Sequence, residues 1–292
     1  MHLLWPREEP CESLNLSIKL GENSVMNQLT AYLKPAIKSI LYPLYERRLF
    51  ANLDFSQTPH HVGVILDGNR RWSKANPAAD GDTSTSRGHK AGAEKIIDLL
   101  DWCEESKVEV LTIWLLSNQN LSRPPAELEP LLAIIADTVN DLASRRRWEI
   151  RPVGSMELLP KELVEQLNDV ASKTKGIKGV VINVAIGYGG RSEIADAVKS
   201  IITSPANAEK SAAEIANEIS VEEIGRHLYT AGLPDPDLVI RTSGEQRLGG
   251  FLLWQSAHSE FYFCEAYWPD FRRVDFLRAI RAYSQRNRRF GK

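Results

Sequence analysis

The chain is 292 residues long, with 43% hydrophobic and 25% charged side chains and a formal net charge of −2. That suits a soluble globular protein with a sizeable core, one large α/β domain or two small ones, and excludes the broad basic surface of a nucleic-acid binder. Three cysteines, Cys11, Cys103 and Cys264, lie far apart without a CxxC, and six scattered histidines add no zinc pattern, so reduced thiols in a cytoplasmic protein are expected.

Residues 1–25 carry no pattern and read as a disordered extension. Arg7, Glu8 and Glu9 stand where a signal peptide needs its apolar core, and no apolar run is long enough to span a membrane. Residues 26–58 form an amphipathic helical region. Leu29, Leu33, Ile37, Ile40, Leu41 and Leu44 fall roughly on one stripe, interrupted by Pro35 and Pro43 and followed by Arg47 and Arg48. This stripe packs on the domain's own surface or, as the alternative, against a membrane surface.

The run from His61 to Leu66 mixes β-branched residues with Gly63, as a strand buried on both faces does. It ends in Asp67, Gly68, Asn69, Arg70, Arg71 and Trp72. A loop follows over 76–86, then a helix from Gly88 through Cys103. Val108 to Leu116 is a second strand and Ser117 to Arg123 its loop. Pro124 and Pro125 open a helix with a continuous apolar face from Leu128 to Leu142. Trp148 to Val153 and Gly179 to Ile186 are strands, separated by a polar helix over 160–174. Helices follow over 191–202 and 221–229, with the polar stretch 204–220 between them. Leu238 to Arg241 and Phe251 to Trp254 complete the strands, and 271–287 is a basic helix. Such alternation predicts a single α/β domain over 59–292, with a mainly parallel sheet of about six strands covered by helices on both faces.

In a parallel sheet, ligands bind outside the carboxyl ends of the strands. Three such loops carry polar groups here: Asp67 to Arg71, Ser117 to Arg123, and Arg241 to Arg247. Arginines fork onto phosphate oxygens, and a carboxylate among them can hold a divalent cation. The constellation therefore suits two diphosphates and a magnesium ion. Taken singly, each loop could equally be a solvated turn whose arginines pair with surface acids.

Five ordered blocks carry a resemblance. They are His61 to Trp72; Gly88-His89-Lys90-Ala91-Gly92; Ser117-Asn118-Gln119-Asn120-Leu121-Ser122-Arg123-Pro124; Gly187-Tyr188-Gly189-Gly190-Arg191; and Asp237 to Arg247, with Phe251 to Gln255 and Ser259-Glu260 following. Together they resemble the cis-prenyltransferases, the undecaprenyl diphosphate synthase family, over residues 59–292. The resemblance implies condensation of isopentenyl diphosphate with an allylic diphosphate. It implies that Asp67 binds Mg2+ and helps the allylic diphosphate leave, while Gly68, Asn69, Arg70, Arg71 and His89 cradle that group and Trp72 packs near the substrates. Ser117, Asn118, Gln119, Arg123, Leu248 and Gly249 line the substrates by the same resemblance. Arg241 and Arg247 would hold the diphosphate of isopentenyl diphosphate, and Glu260 would complete the metal site. Read from its chemistry alone, Glu260 is a half-buried carboxylate in an aromatic strand. Asn120 fills the position assigned as proton acceptor, but a carboxamide is a very poor base, and the substrate's own diphosphate is the better acceptor.

Three residues depart from the family pattern. Thr85 replaces an arginine, for which Arg87 is the candidate substitute; Gln119 replaces a glutamate, and Leu121 a tryptophan. The run Ser243 to Leu248 and the pair Leu115-Leu116 are similar to short-chain members that stop at Z,E-farnesyl diphosphate. A long-chain undecaprenyl or decaprenyl diphosphate synthase is the alternative, and a non-catalytic partner subunit a further one. Leu115 is expected to narrow the product tunnel, or else to be ordinary core. Arg289-Phe290-Gly291 matches the family's RxG ending, implying a homodimer. The expected location is the cytoplasm, with contact to the inner face of the plasma membrane as a variant. One rival is a nucleotide-dependent oxidoreductase, because glycines follow the fourth strand. Ser192 replaces the third glycine of that fingerprint.

Overall fold

The computed structural model describes residues 42–286. The extension over 1–25, most of the amphipathic stripe and Arg289-Phe290-Gly291 lie outside the described residues. Residues 42–51 are helical (α1). Residues 54–292 form a separate compact unit that holds the sheet.

The strands are β1 (His61–Ile65), β2 (Val110–Ser117), β3 (Glu149–Val153), β4 (Val181–Tyr188), β5 (Leu238–Arg241) and β6 (Glu260–Phe263). They form one six-stranded sheet in the order β3-β4-β2-β1-β5-β6. Every pairing is parallel. All five residues of β1 and all four of β5 are buried. Successive side chains on a strand point to opposite faces, so both faces are covered there. Val62, Val64, Leu111, Ile113, Ile182, Val184 and Ile240 are at most 0% exposed and form the centre. Burying each such side chain contributes about 1.5–3 kcal/mol.

Helices fill the crossovers that parallel strands require. They are α2 (Asn69–Ala75), α3 (Thr85–Glu105), α4 (Pro125–Ser144), α5 (Lys161–Thr174), α6 (Gly190–Ile202), α7 (Ala212–Glu218), α8 (Val221–Arg226) and α9 (Arg273–Gln285). α3 starts earlier than its apolar pattern indicates, because Ser84 caps it by accepting from Arg87 N. α7 arises within the stretch read as merely polar, through a capping box between Ser211 and Glu214.

The sixth strand is not where the sequence indicates. Phe251 to Trp254 is a turn with Phe251 and Leu252 buried, and β6 begins at Glu260. Gly249 and Gly250, at φ +64° and +97°, break the extended conformation just before the apolar run. The run then folds under the sheet. A Cβ at Gly63 would meet Phe251 Cε1 at 3.1 Å, so the glycine in β1 makes room for that ring.

Candidate active site

β1 lies between β2 and β5. The chain leaves β1 toward β2 on one side, while β5 leads on to β6 on the other. The β1 and β5 loops therefore diverge and open a crevice between them, the switch point at which doubly wound sheets bind ligands. Asp67 follows β1 and Arg241 ends β5, in register through Ile65.

Arg241 Nη2 donates to Asp67 Oδ2 at 2.8 Å, and Arg71 Nη2 lies 3.4 Å from Asp67 Oδ1. Thr242 Oγ1 and Trp268 N hold the Asp67 carbonyl at 2.7 and 3.0 Å, fixing the backbone behind the carboxylate. Burial works to raise the Asp67 pKa. Hydrogen bonds from Arg241 and Ser243 and the charges of Arg241 and Arg71 outweigh it and keep the carboxyl below its usual range. Gly68, at φ +108°, begins α2 against Tyr267, where no side chain fits.

Two further carboxylates each bridge a pair of arginines. Glu245 pairs with Arg71 at 3.4 Å and with Arg247. Glu127 pairs with Arg70 at 3.4 Å and Arg123 at 3.0 Å. Arg241 also donates to the Arg247 carbonyl. The pKa of His89 falls to about 4 through burial and the nearby Arg123 charge, so its imidazole is neutral at pH 7. Four buried polar atoms here have no hydrogen-bond partner: Arg241 Nε, Trp114 Nε1, Asn69 Oδ1 and Asn118 Oδ1. Native interiors rarely leave such groups unsatisfied, and water or a ligand can supply the partner.

α3 reaches the site through a glycine pair. A Cβ at Gly88 would stand 2.2 Å from the Asn69 carbonyl oxygen, and one at Gly92 would stand 2.4 Å from Asn69 Oδ1. This close approach places His89 beside the β1 loop. After β2, Ser117 Oγ accepts from Asn120 N at 3.1 Å, and Asn118 Nδ2 donates to Ser192 Oγ at 3.0 Å. Gln119 is exposed. Leu248 and Trp114 pack on the same apolar cluster, a Cβ at Gly249 would meet the Trp114 ring at 3.4 Å, and that ring stacks on Phe251 at 5.4 Å.

Leu115 sits at a bulge. Trp114 pairs with Ala185 and Leu116 with Ile186, leaving Leu115 as the extra residue of β2. The bulge aims Leu115 into a cavity of about 40 Å³ with Leu131, Ile134 and Ile135 along it and Asn69 and His89 at its edge. Leu116 is 1% exposed and is ordinary core, whereas Leu115 is half-buried.

Some expected site residues sit elsewhere. Glu260 opens β6 in register with Leu238, at the amino edge of the sheet, and pairs with Arg286. Within one chain it is therefore at the opposite edge from Asp67. Trp72 Nε1 donates to Asp270 Oδ1 at 2.8 Å. Arg87, the candidate substitute for the arginine missing at Thr85, lies 4.7 Å over the Trp72 ring and donates to the Asn76 carbonyl. Glu127, Glu245, Ser243 and Trp114 had no assigned role in the sequence. Glu127 and Glu245 were legible only as acids close to arginines.

Among the described residues, no group of three or more His, Cys, Asp or Glu could hold a metal. Magnesium usually takes one or two carboxylates and fills its shell with phosphates and water. A single half-buried carboxylate ringed by arginines, which can fork onto phosphate oxygens, fits that mode. The start of α6 does not suit a dinucleotide, because Gly190 N donates to the Gly250 carbonyl at 2.8 Å and the 249–253 turn covers it.

A family profile described as "Putative undecaprenyl diphosphate synthase" matches residues 65–291. A (2Z,6E)-farnesyl diphosphate synthase of Thermobifida fusca is 55% identical over 251 residues, 86% of this chain and 97% of that protein. A short-chain Z-isoprenyl diphosphate synthase of Mycobacterium leprae is 49% identical, covering 88% of this chain and 98% of its own. Among solved structures, lavandulyl diphosphate synthase from Lavandula x intermedia, in complex with dimethylallyl diphosphate, superposes with a TM-score of 0.72. It is 32% identical and covers 81% of this chain and 100% of its own.

Proposed function

The chain belongs to the undecaprenyl diphosphate synthase family of prenyltransferases, and from that premise we propose that it makes a short-chain Z,E-prenyl diphosphate such as Z,E-farnesyl diphosphate. The substrates are isopentenyl diphosphate and an allylic diphosphate, with geranyl diphosphate as primer. The observation that carries this reading is Asp67 held between Arg241 and Arg71 at the β1/β5 switch point. The names of the relatives at 55% and 49% identity support the short product.

Two anions must be bound side by side. Arg70, Arg71, His89 and the Gly68–Asn69 backbone would cradle the allylic diphosphate, with Arg123 beyond. Arg241 and Arg247 would hold the diphosphate of isopentenyl diphosphate. Each diphosphate would displace a carboxylate that now bridges arginines, Glu127 or Glu245. Asp67 is the residue that would hold Mg2+, which when bound supplies charge stabilisation for a leaving diphosphate.

The allylic C1–O bond breaks, and its electron pair leaves with the diphosphate into the arginine cluster. The terminal carbon of the isopentenyl double bond then attacks C1. Loss of a proton from C2 of the isopentenyl unit forms the new cis double bond, with diphosphate as acceptor. Asn118 and Asn120 orient groups along this path. The protein's contribution is placement of two substrates and fixed charge where charge develops. A homodimer and peripheral membrane contact complete the proposal. The RxG ending supports the first and the amphipathic stripe the second.

The test uses purified protein with labelled isopentenyl diphosphate, several allylic primers, and magnesium present or chelated. Incorporation is expected only with an allylic primer and magnesium together. Binding of both substrates without incorporation would favour a non-catalytic subunit.

A further inference from the structure

Ser243 holds a conformation that a serine adopts only against a steric penalty. Its φ is +81°, and Gly244 after it has φ +74°. Glycine takes the left-handed region freely, whereas a Cβ there crowds the backbone. The turn does not depend on the side chain. Ser243 N donates to the Ala266 carbonyl at 2.7 Å and Gly244 N to the Cys264 carbonyl at 2.9 Å, tying the start of the loop to the end of β6. A glycine would fit the same path with less strain, so the reason for serine lies in its hydroxyl.

That hydroxyl is buried, with the residue 7% exposed, and lies between two site residues. Arg71 Nη2 donates to Ser243 Oγ at 2.7 Å. The same Nη2 stands 3.4 Å from Asp67 Oδ1, so the hydroxyl holds the guanidinium where it faces the carboxylate. A hydroxyl has lone pairs with which to accept from arginine. Neither glycine nor alanine can do this. Arg71 approaches Asp67 directly at only 3.4 Å, whereas Arg241 Nη2 reaches the other face of the carboxylate at 2.8 Å.

We infer that Ser243 is a positioning residue for the condensation: its hydroxyl holds the Arg71 guanidinium against Asp67, opposite Arg241. The backbone strain is retained because the hydroxyl is required at that point. Strained residues persist at functional sites where the surroundings enforce them. The inference rests on the reading of Asp67 as the catalytic carboxylate.

The experiment compares S243G and S243A with wild type by kcat, by KM for each substrate, and by thermal melting of the ligand-free protein. Both variants lack the hydroxyl, and only glycine relieves the strain. The kcat is expected to fall about tenfold in both, as for a catalytic group left loosely oriented. The KM for isopentenyl diphosphate should stay within about threefold, because Arg241 and Arg247 remain. The melting temperature of S243G should exceed that of S243A by about 2–4 °C. Activity and stability then part company, which a purely structural serine would not produce. An S243G that turns over at the wild-type rate, or rates that follow the melting order, would overturn the inference. A wild type that does not condense the substrates would sink the functional reading beneath it, which is a separable result.

Discussion

The two edges of the sheet both place carboxylates against arginines, and they do so differently. At the amino edge, Glu260 pairs with Arg286, and Asp237 Oδ2 accepts from His60 N and His61 N at 2.7 and 3.1 Å. Both ring nitrogens of His61 have partners, Pro234 O at 2.7 Å and Thr112 Oγ1 at 2.8 Å. These groups are satisfied by the protein itself and staple loops to strands. At the carboxyl edge, Asp67, Glu245 and Glu127 each bridge two arginines, and Arg241 Nε, Asn69 Oδ1 and Asn118 Oδ1 are buried without partners. Convergent cations, more than residue type, make the carboxylates of this edge the candidates for function.

That contrast breaks most readily at Asp67. Asp67→Asn keeps the shape and removes the charge between Arg241 and Arg71. The kcat should fall by about a thousandfold or more, while isopentenyl diphosphate binding, followed by calorimetry, changes little. A near wild-type rate would move the chemistry away from this edge. The clamp comes next. Arg241→Ala and Arg247→Ala should raise the KM for isopentenyl diphosphate by about 10- to 100-fold, at roughly 1.5–3 kcal/mol per lost charged hydrogen bond, and raise it less for the allylic primer. Equal losses for both substrates would indicate a structural part, as the contact from Arg241 to the Arg247 carbonyl allows.

Smaller effects sharpen the comparison. Leu115→Ala should lengthen the product by one or more isoprene units, read by chromatography after dephosphorylation. Its side chain is only half-buried and already borders a cavity, so the stability loss should sit at the low end of the about 2–5 kcal/mol range for such truncations. An unchanged product in a folded, active variant would remove Leu115 from length control. Glu260→Gln should cost less than about tenfold in kcat, because its partner is an exposed arginine and such pairs contribute about 0–1 kcal/mol. A loss as large as that from Asp67→Asn would place Glu260 in the reaction after all, which its position allows only from a second copy of the chain.

The sequence made the carboxyl ends of β1 and β5 legible because short apolar runs stop abruptly at Asp67 and Arg241. Pairing order was not legible. Nothing local indicates that β5 lies beside β1, and the Asp67–Arg241 contact spans 174 residues. Phe251 to Trp254 is ambiguous in sequence because four apolar residues in a row suit a strand and a packed turn equally well. Gly249 and Gly250 favour the turn, and Gly63 is its distant complement. Glu260 was placed at the metal by resemblance, whereas its chemistry alone suggested the half-buried strand residue that one chain displays. The capping box at Ser211 and Glu214 was readable and would have found α7. The strained Ser243 was not, since backbone dihedrals leave no trace in residue order.

The most direct measurement is the length and double-bond geometry of what wild-type protein makes from geranyl diphosphate and labelled isopentenyl diphosphate with magnesium. A single fifteen-carbon product with a new Z double bond is the predicted result. A ladder reaching fifty or more carbons, or an all-E product, would contradict the account.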